Sequence, residues 1–323
     1  MKFSIITPSF KQLDWLRLCV ASVKDQIDVA TNEMRNAECG MQDAISEIKN
    51  QKSKIPPLAV EHIIQDAGSP GIEDFAREVG ADFYREGTLI SHSPFHIPNY
   101  SLAIFAERDE GMYDAINRGL RRSTGDVCAW LNSDEQYLPG TLRKMATVFQ
   151  RNPGIEVAVG DTVLLNDKLE PKAYRKAVAP DRRYIQIFQM NLHSSSLFFR
   201  RTILDRGHWF GDRFRSIGDA EWVAGLLDAG VRFHCIPGPV STFVLGAGNL
   251  SRNAISEVEV GLWRSETRVT ALGKFLLKAT NAARRFTHGA YFPRRAGILI
   301  FMFQNIGKRT RSPERWLDFR FRV

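Results

Sequence analysis

Two acidic side chains follow a short apolar stretch near the middle of the chain. The stretch 127–131 predicts a buried strand, and Asp134 and Glu135 come shortly after it. Because the chain turns where a strand ends, both carboxylates can approach one ion. Carboxylate oxygens suit Mg²⁺ or Mn²⁺, whose remaining positions are taken by water and substrate phosphate. The pair therefore predicts Asp134 and Glu135 as metal ligands in a nucleotide-sugar diphosphate site.

Further polar residues stand near the ends of other predicted elements. Asp66 follows a predicted strand at 60–65, and the segment from Asp109 to Asn117 opens a helix with acidic residues. Each of these residues could contact a ligand, but each also has a purely structural explanation. Asp66 could cap the helix that follows, Asp109 could only stabilise a helix N-terminus, and Asn117 could be an exposed helix residue.

Strands that alternate with helices must position these residues. The apolar run 3–7 predicts a strand, which a helix follows with apolar residues at Leu13, Leu16, Val20 and Val23. Further predicted elements are a strand at 60–65, a helix at 72–79 and a strand at 81–84. This order predicts an α/β fold with a mostly parallel sheet and helices on both faces. Ligands then bind at the carboxyl ends of the strands, where Ser9, Asp66 and Asp134 fall.

The rest of the chain divides into a domain and two additions. After the acidic loop we predict helices at 139–149 and 218–227 and strands at 157–165, 194–199, 231–236 and 240–245. The segment 27–58 is longer than the usual connection and carries an apolar stripe, which predicts a helical insertion. Residues 1–250 form the predicted domain, and 251–323 a basic helical C-terminal extension.

Charge is unevenly distributed along the 323 residues. The net charge is +8, yet residues 263–323 hold 14 Lys and Arg against 3 Asp and Glu, a net charge of +11. Bulky apolar residues alternate with arginines in this tail, which favours peripheral contact with an anionic membrane. A helical lid with solvated arginines is the main alternative, and nucleic-acid binding is disfavoured.

Cysteine usage and hydropathy bear on location. The four cysteines lie far apart without paired spacing, which fits a reducing compartment. The chain begins directly with a predicted strand, and its longest apolar run has eight residues, against about 20 for a spanning helix. We therefore expect a cytoplasmic protein at the inner face of the cytoplasmic membrane.

An ordered set of motifs resembles family 2 glycosyltransferases, especially the branch of bacterial exopolysaccharide and lipopolysaccharide biosynthesis. The motifs are Thr7-Pro8-Ser9-Phe10, Asp66-Ala67-Gly68-Ser69, the segment 109–117 and Asn132-Ser133-Asp134-Glu135. The resemblance covers roughly residues 2–250. It implies a GT-A type nucleotide-binding sheet and an inverting reaction in a single displacement.

The resemblance also implies roles for single residues. Pro8 and Ser9 would border the nucleotide pocket, and Asp66 would hydrogen-bond the pyrimidine base. Asp109 and Asn117 would line the nucleotide and diphosphate. Asp134 would reach the ribose or the metal, and Glu135 would bind the metal through the diphosphate. The family usually has Asp where this chain has Glu135.

A second acidic motif resembles the acceptor side of the same family. In the segment 210–222, Asp219 matches the general base and Glu221 the next acid along. His193 matches a position near the acceptor pocket, and 246–251 resembles a flexible loop that closes on the diphosphate. Asp219 could instead cap its helix, and His193 could be structural.

The leading hypothesis is an inverting hexosyltransferase. It would move a hexose from a nucleotide-diphosphate sugar, expected to be UDP-linked, to a glycan or lipid-linked glycan acceptor. A sugar nucleotidyltransferase is one alternative, although 8–12 lacks the glycine-rich phosphate loop that such an enzyme needs. A non-catalytic nucleotide- or glycan-binding protein with a decayed site is another.

Overall fold

The computed structural model describes residues 1–27, 58–187, 190–246 and 254–317. Nearly all of the predicted helical insertion at 27–58, and most of the predicted loop at 246–251, lie outside these ranges. The helices are α1 (Leu13–Lys24), α2 (Ile72–Val79), α3 (Met112–Arg122), α4 (Thr141–Arg151), α5 (Arg182–Ile185), α6 (Thr202–Asp205), α7 (Gly218–Asp228), α8 (Ala254–Ser265) and α9 (Ala271–Thr287). The strands are β1 (Lys2–Ser9), β2 (Ala59–Asp66), β3 (Asp82–Arg85), β4 (Thr88–Ser91), β5 (Tyr100–Ala106), β6 (Val127–Trp130), β7 (Gln136–Tyr137), β8 (Val157–Leu165), β9 (Pro171–Arg175), β10 (Leu197–Arg200), β11 (Phe233–Val244), β12 (Arg294–Ala296), β13 (Leu299–Met302), β14 (Asn305–Arg311) and β15 (Arg315–Leu317).

One large sheet carries the fold. Its strand order is β4-β3-β5-β2-β1-β6-β10-β8-β11-β7, and β9 pairs with β8. The strands from β3 to β6 in this order are parallel, which confirms the predicted parallel sheet in that half. Beyond β6 the sheet becomes mixed, because β10 runs antiparallel to both of its neighbours.

Helices cover both faces of this sheet, as predicted. Consecutive residues of a strand point to opposite faces, so Ile5 packs with α1 and α4 whereas Ile6 packs with α3 and α7. Both side chains are fully buried. The strand β1 therefore lies between two hydrophobic cores, and the elements on either face are fixed relative to its carboxyl end.

Several predicted boundaries require correction. The two strands predicted at 231–236 and 240–245 are one strand, β11, whose pairing with β8 shifts register around Pro239. Residues 194–196 form a short 3₁₀ helix, and only the remainder of the predicted strand at 194–199 belongs to β10. Proline cannot donate a ladder hydrogen bond, which explains why the sequence around Pro239 suggested a break.

The expectation of a wholly helical C-terminal extension is wrong beyond α9. Residues 294–317 form two antiparallel strand pairs, β12 with β15 and β13 with β14. Ile298, Ile300, Phe301 and Leu317 are buried in a cluster with residues of α1, β8 and β9. A short apolar run can form either a strand or a buried helical segment, and here the packing partners decide for strands. No helix within the described ranges combines the length and apolarity needed to cross a membrane.

Candidate functional site

The carboxyl ends of four parallel strands meet at one edge of the sheet. Ser9 pairs in register with Asp66, and Asp66 pairs with Ala106, after which the chain continues to Asp109. On the other side of β1, Leu131 donates its backbone N–H to the carbonyl of Ile6. The loop 132–135 thus starts beside the end of β1. Parallel pairing therefore gathers the ends of β5, β2, β1 and β6, where Ser9, Asp66, Asp109 and Asp134 were predicted to lie.

Asp66 is fully buried and holds the turn that follows β2. Its Oδ1 accepts the backbone N–H groups of Gly68 at 2.9 Å and Ser69 at 2.6 Å, and its Oδ2 accepts the Ser69 hydroxyl at 2.7 Å. Gly68 has a φ of +90°, a conformation that favours glycine. Asp66 therefore closes the turn and does not cap α2, which begins after Gly71 without a side-chain cap. Recognition of a base by this carboxylate stays a prediction.

Pro8 and Ser9 end β1 beside this turn. Ser9 is 6% exposed, and its hydroxyl is buried without a hydrogen-bond partner among the described residues. Ser69 additionally accepts the backbone N–H of Lys11 at 2.6 Å, so the turns after β1 and β2 are joined. An unpartnered buried hydroxyl at a strand end is a group that a polar ligand could satisfy.

Asp109 and Asn117 occupy the start and the middle of the segment that contains α3. Asp109 accepts the Gly111 backbone N–H at 3.0 Å, and partial burial raises its pKa, with a further contribution from Asp114. Asn117 is buried and exchanges two hydrogen bonds with the backbone of Phe210, at 2.9 and 3.2 Å. The Asn117 amide therefore fixes the segment around Phe210 to α3. To contact the nucleotide as predicted, Asn117 would have to break both hydrogen bonds to Phe210.

The two carboxylates after β6 have different surroundings. Glu135 is 1% exposed and accepts the backbone N–H of Asn132 at 2.8 Å and its amide group at 3.2 Å. Asp134 is only half-buried. Burial raises the pKa of Asp134 to about 6. Burial, together with the charges of Asp134 and Asp219, raises the pKa of Glu135 well above its ordinary value. Asp134 thus offers the freer carboxylate of the pair.

The side chains of the loop 132–135 are suited to hold a divalent cation. Asn132 Oδ1 is buried without a hydrogen-bond partner among the described residues, and it adjoins the two carboxylates in sequence. The nearby charges that act on Glu135 are negative, and a cation would relieve this repulsion. Within the described ranges, no three His, Cys, Asp or Glu side chains form a ready metal cluster. Mg²⁺ and Mn²⁺ need few protein ligands when substrate phosphates supply the others.

Asp219 lies in the first turn of α7. Tyr113 of α3 places its hydroxyl 3.2 Å from Asp219 Oδ1 and 3.2 Å from the Ser216 carbonyl oxygen, so it can donate to either. Asp219 Oδ1 also accepts the backbone N–H of Ala220 at 2.8 Å. Burial raises the pKa of Asp219. The negative charge of Asp219 contributes to the raised pKa of Glu135, so the two acids interact electrostatically.

Aromatic side chains hold α3, β6 and α7 in this arrangement. Phe210 stacks on Trp222 at 4.7 Å and on Tyr113 at 5.6 Å between ring centroids, and it meets Trp130 edge-on at 5.1 Å. Trp222 follows Asp219 by three residues on α7, and Trp130 is the last residue of β6. The aromatic cluster therefore sets the spacing between the two acidic groups.

The other predicted acceptor-side residues lie in less direct positions. Glu221 is half-buried, 3.7 Å from Arg213, and burial raises its pKa. The His193 ring lies tilted against Phe243, 4.8 Å between ring centroids, and lines a cleft with Arg175 and Arg285. Burial, aided by Arg175, lowers the pKa of His193 to about 3. His193 is therefore a neutral ring in the β8, β9 and β11 part of the sheet.

Two residues of this site were not predicted from the sequence. Tyr113 supports Asp219, and its spacing of four from Asn117 on one helix was a signal that both face the segment 210–219. Glu259 of α8 accepts the backbone N–H groups of Arg215, Ser216 and Ile217 at 2.7, 2.9 and 3.3 Å. Nothing in the sequence near Glu259 indicates a contact more than 40 residues away.

Comparisons with known proteins identify the family and the fold. The family model described as "Glycosyl transferase family 2" matches residues 4–208, a range that includes the strand-end acids but not Asp219 or Glu221. A PGL/p-HBAD biosynthesis glycosyltransferase of Mycobacterium bovis is 26% identical over 119 residues, which are 36% of this chain and 44% of that protein. A Mycobacterium tuberculosis protein of the same description matches equally. The match thus spans less than half the length of these curated relatives.

A solved structure shares the fold. S. aureus TarS 1–349, determined in complex with UDP-GlcNAc, aligns over 89% of this chain and 73% of its own with a TM-score of 0.52 and 15% sequence identity. At that identity the likeness concerns the fold alone, which is the GT-A type. With a family match over more than half of its length, the chain belongs to glycosyl transferase family 2.

Proposed function

We propose that the chain is an inverting hexosyltransferase. It transfers a hexose from a nucleotide-diphosphate sugar, with UDP as the expected nucleotide, to a glycan or lipid-linked glycan acceptor. The observation that carries the proposal is the packing of α7, which begins next to Asp219, against the end of β6: Trp130 meets Trp222 at 5.8 Å and Phe210 at 5.1 Å between ring centroids. Neighbouring elements thereby offer an acidic group for each of the two tasks of sugar transfer.

On the donor side, the loop after β6 binds the diphosphate group of the nucleotide-diphosphate sugar. Asp134 would ligate the divalent cation, with Asn132 Oδ1 and the Glu135 carboxylate close by in sequence. The bound cation supplies Lewis-acid neutralisation of charge on the departing diphosphate. Ser9 offers its unpartnered hydroxyl to the donor, and Asp66 keeps the adjoining turn in shape.

On the acceptor side, Asp219 acts as the general base. An acceptor hydroxyl attacks the anomeric carbon while its proton passes to Asp219, and the bond between the sugar and the diphosphate breaks on the opposite face. A single displacement of this kind inverts the anomeric centre. Tyr113 can donate a hydrogen bond to the Asp219 carboxylate, and Glu221, two residues further along α7, is a polar contact for the acceptor.

A non-catalytic binding protein is the second candidate, because the Glu135 carboxylate accepts two hydrogen bonds from Asn132 instead of being free to bind a ligand. Titration calorimetry with UDP, with and without Mn²⁺, followed by a donor hydrolysis assay, separates the two. UDP-GlcNAc is the first donor to test, since it is the ligand of TarS. Cation-dependent UDP binding with hydrolysis supports the enzyme, and binding without turnover supports the second candidate.

The variant Asp219→Asn tests the general base. It should lower the hydrolysis rate at least about 100-fold while UDP binding remains close to that of the unmodified protein. Asp228→Asn, at the exposed far end of the same helix, removes the same charge and should hydrolyse the donor normally. If Asp219→Asn hydrolyses the donor at the rate of the unmodified protein, another group must accept the proton.

A further inference from the structure

The C-terminal helix α9 presents an apolar face to solvent. Leu272, Phe275 and Leu276 are 68%, 67% and 54% exposed, and Phe286 on the same side is 57% exposed. Their spacing of three and four residues, extended by Ala279 and Ala283, places them along one side of the helix. An amphipathic helix in a folded domain normally buries that side, yet among the described residues only Phe292 packs against this face, at 5.6 Å from Phe286 between ring centroids.

The opposite side of α9 is the one attached to the protein, and the attachment is polar. Asn281, its one buried residue, accepts a hydrogen bond from Asn191 at 3.0 Å, and Thr280 lies 3.3 Å from the Tyr184 hydroxyl. Arg284 donates to the Ala179 carbonyl. The helix is therefore held by its polar side, which fixes the apolar side in an outward direction.

Helix α8 repeats this arrangement. Ile255, Val258 and Leu262 are 51%, 62% and 57% exposed, at spacings of three and four residues. With Phe214 they line an open groove of about 590 Å³. The buried side of α8 carries Glu259, which binds the loop directly before Asp219. The outward apolar residues of α8 are thus rigidly connected to the acceptor side of the cleft.

Charge identifies the partner of this surface. Residues 267–313 contain ten Lys and Arg and no Asp or Glu. On α9 itself, Lys278 is exposed one turn after Phe275 and borders the apolar stripe, whereas Lys274 is exposed on the same side as Asn281. Basic residues that flank an exposed stripe of Leu and Phe are the features of a helix that lies in the interface of an anionic bilayer. A second copy of the same chain would place like charges against each other.

We propose that the exposed apolar side of α9, bordered by Lys278, docks on the surface of an anionic lipid bilayer. The leucine and phenylalanine side chains enter the boundary between headgroups and acyl chains, and Lys278 contacts the lipid headgroups. The docking itself does not depend on the proposed reaction.

Vesicle flotation with the full-length chain tests this proposal. The protein should float with vesicles of phosphatidylcholine and phosphatidylglycerol and much less with phosphatidylcholine alone, and added salt should weaken the binding. The combined variant Leu272→Ser, Phe275→Ser and Leu276→Ser should bind at least about tenfold more weakly. Lys278→Gln should weaken the binding to anionic vesicles roughly fivefold.

A matched control comes from the opposite edge of the sheet. Leu89→Ser with Ile90→Ser removes exposed apolar side chains from β4 and should bind vesicles as the unmodified protein does. Circular dichroism checks that each variant is folded. If the triple variant does not fold, the lysine variant alone tests the proposal. Failure of the unmodified protein to bind anionic vesicles, or unchanged binding by the folded variants, overturns the proposal. Vesicle-free dimerisation that the triple variant abolishes, without vesicle binding, would assign the surface to a second copy.

Discussion

Asp134 is a carboxylate whose surroundings oppose its charge in the absence of a cation. Burial raises its pKa from the ordinary value of 3.8 to about 6. The metal-free folded state therefore binds the proton more tightly than the unfolded state does. Stability then falls as the pH rises from about 4 to about 6, and the loss is complete above pH 6. Such a cost is common where a site is organised for a ligand.

We therefore predict that Asp134→Asn stabilises the metal-free protein. In the presence of a chelator at pH 7.5, its free energy of unfolding should exceed that of the unmodified protein by about 1–2 kcal/mol, since the amide carries no charge to desolvate. Urea denaturation at pH 4 and pH 7.5 measures the effect, and the difference should nearly vanish at pH 4. The same variant should lose the Mn²⁺ dependence of UDP binding.

Addition of Mn²⁺ and UDP provides the internal control for Asp134. Both should stabilise the unmodified protein, because ligands that bind only the folded state shift the unfolding equilibrium, and they should do so much less for Asp134→Asn. An Asp134→Asn protein that is less stable than the unmodified one at pH 7.5 would contradict the assignment of desolvation as the main effect on Asp134.

At the scale of elements, the close packing of α3 and α7 fixes the distance between the acids. A Cβ atom on Gly218 would lie 2.6 Å from the ring of Tyr113, which itself touches Asp219. We predict that Gly218→Ala displaces the start of α7 and lowers the rate of donor hydrolysis more than it weakens UDP binding. Stopped assays under saturating donor, combined with calorimetry, measure the two effects separately.

Gly225 on the same helix serves as the matched control. A Cβ atom there meets nothing within 4 Å. Gly225→Ala should therefore leave hydrolysis unchanged and stabilise the protein by about 0.5–1 kcal/mol, because alanine restricts the unfolded chain. Equal rates for the two alanine variants would show that contact between Gly218 and Tyr113 does not control the position of Asp219.

Helix α8 acts on the same site from outside the range matched by the family model. Glu259 accepts three backbone N–H groups of the loop before Asp219 and is 8% exposed. We predict that Glu259→Ala lowers the free energy of unfolding by about 2–4 kcal/mol, since buried donors lose their acceptor. The hydrolysis rate should fall while UDP binding persists, and Glu259→Gln should restore part of that rate.

Glu257→Ala tests whether these effects are specific to the buried carboxylate. Glu257 is exposed on the same helix, and its removal should change stability by no more than about 0.5 kcal/mol. A Glu259→Ala protein with normal hydrolysis would mean that the loop 215–217 keeps its shape without this carboxylate.

Strand ends could be predicted from the sequence, whereas contacts between distant elements could not. Ser9, Asp66 and Asp134 follow apolar runs, and the parallel pairing of β2, β1 and β6 is enough to gather them. The role of Glu259 depends on the path of the chain after β11, which no local pattern specifies. The run around Ile298 and Phe301 was compatible with either helix or strand, and only its packing against α1 and β8 decides.

At the scale of the whole molecule, the C-terminal strands belong to the body of the fold and not to a detachable tail. Arg309 of β14 is 6% exposed and donates to Asp25 Oδ2 at 2.8 Å, to the Tyr137 carbonyl at 2.9 Å and to the Leu299 carbonyl at 3.1 Å. One guanidinium group thus joins the C-terminal strands to the end of α1 and to β7. A planar group with five N–H donors is suited to such a junction.

We predict that Arg309→Met destabilises the entire chain by about 3–5 kcal/mol, because the buried ion pair with Asp25 and the hydrogen bonds to the Tyr137 and Leu299 carbonyls would be lost. Thermal unfolding should shift as one transition, since the cluster around Ile300 includes residues of α1 and β8. Arg311→Met is the matched control on the same strand. Arg311 is 41% exposed and pairs with Glu314 at 3.2 Å, so its loss should cost no more than about 1 kcal/mol. Two separate transitions, with only the smaller one shifted by Arg309→Met, would show that the C-terminal strands fold independently of the sheet.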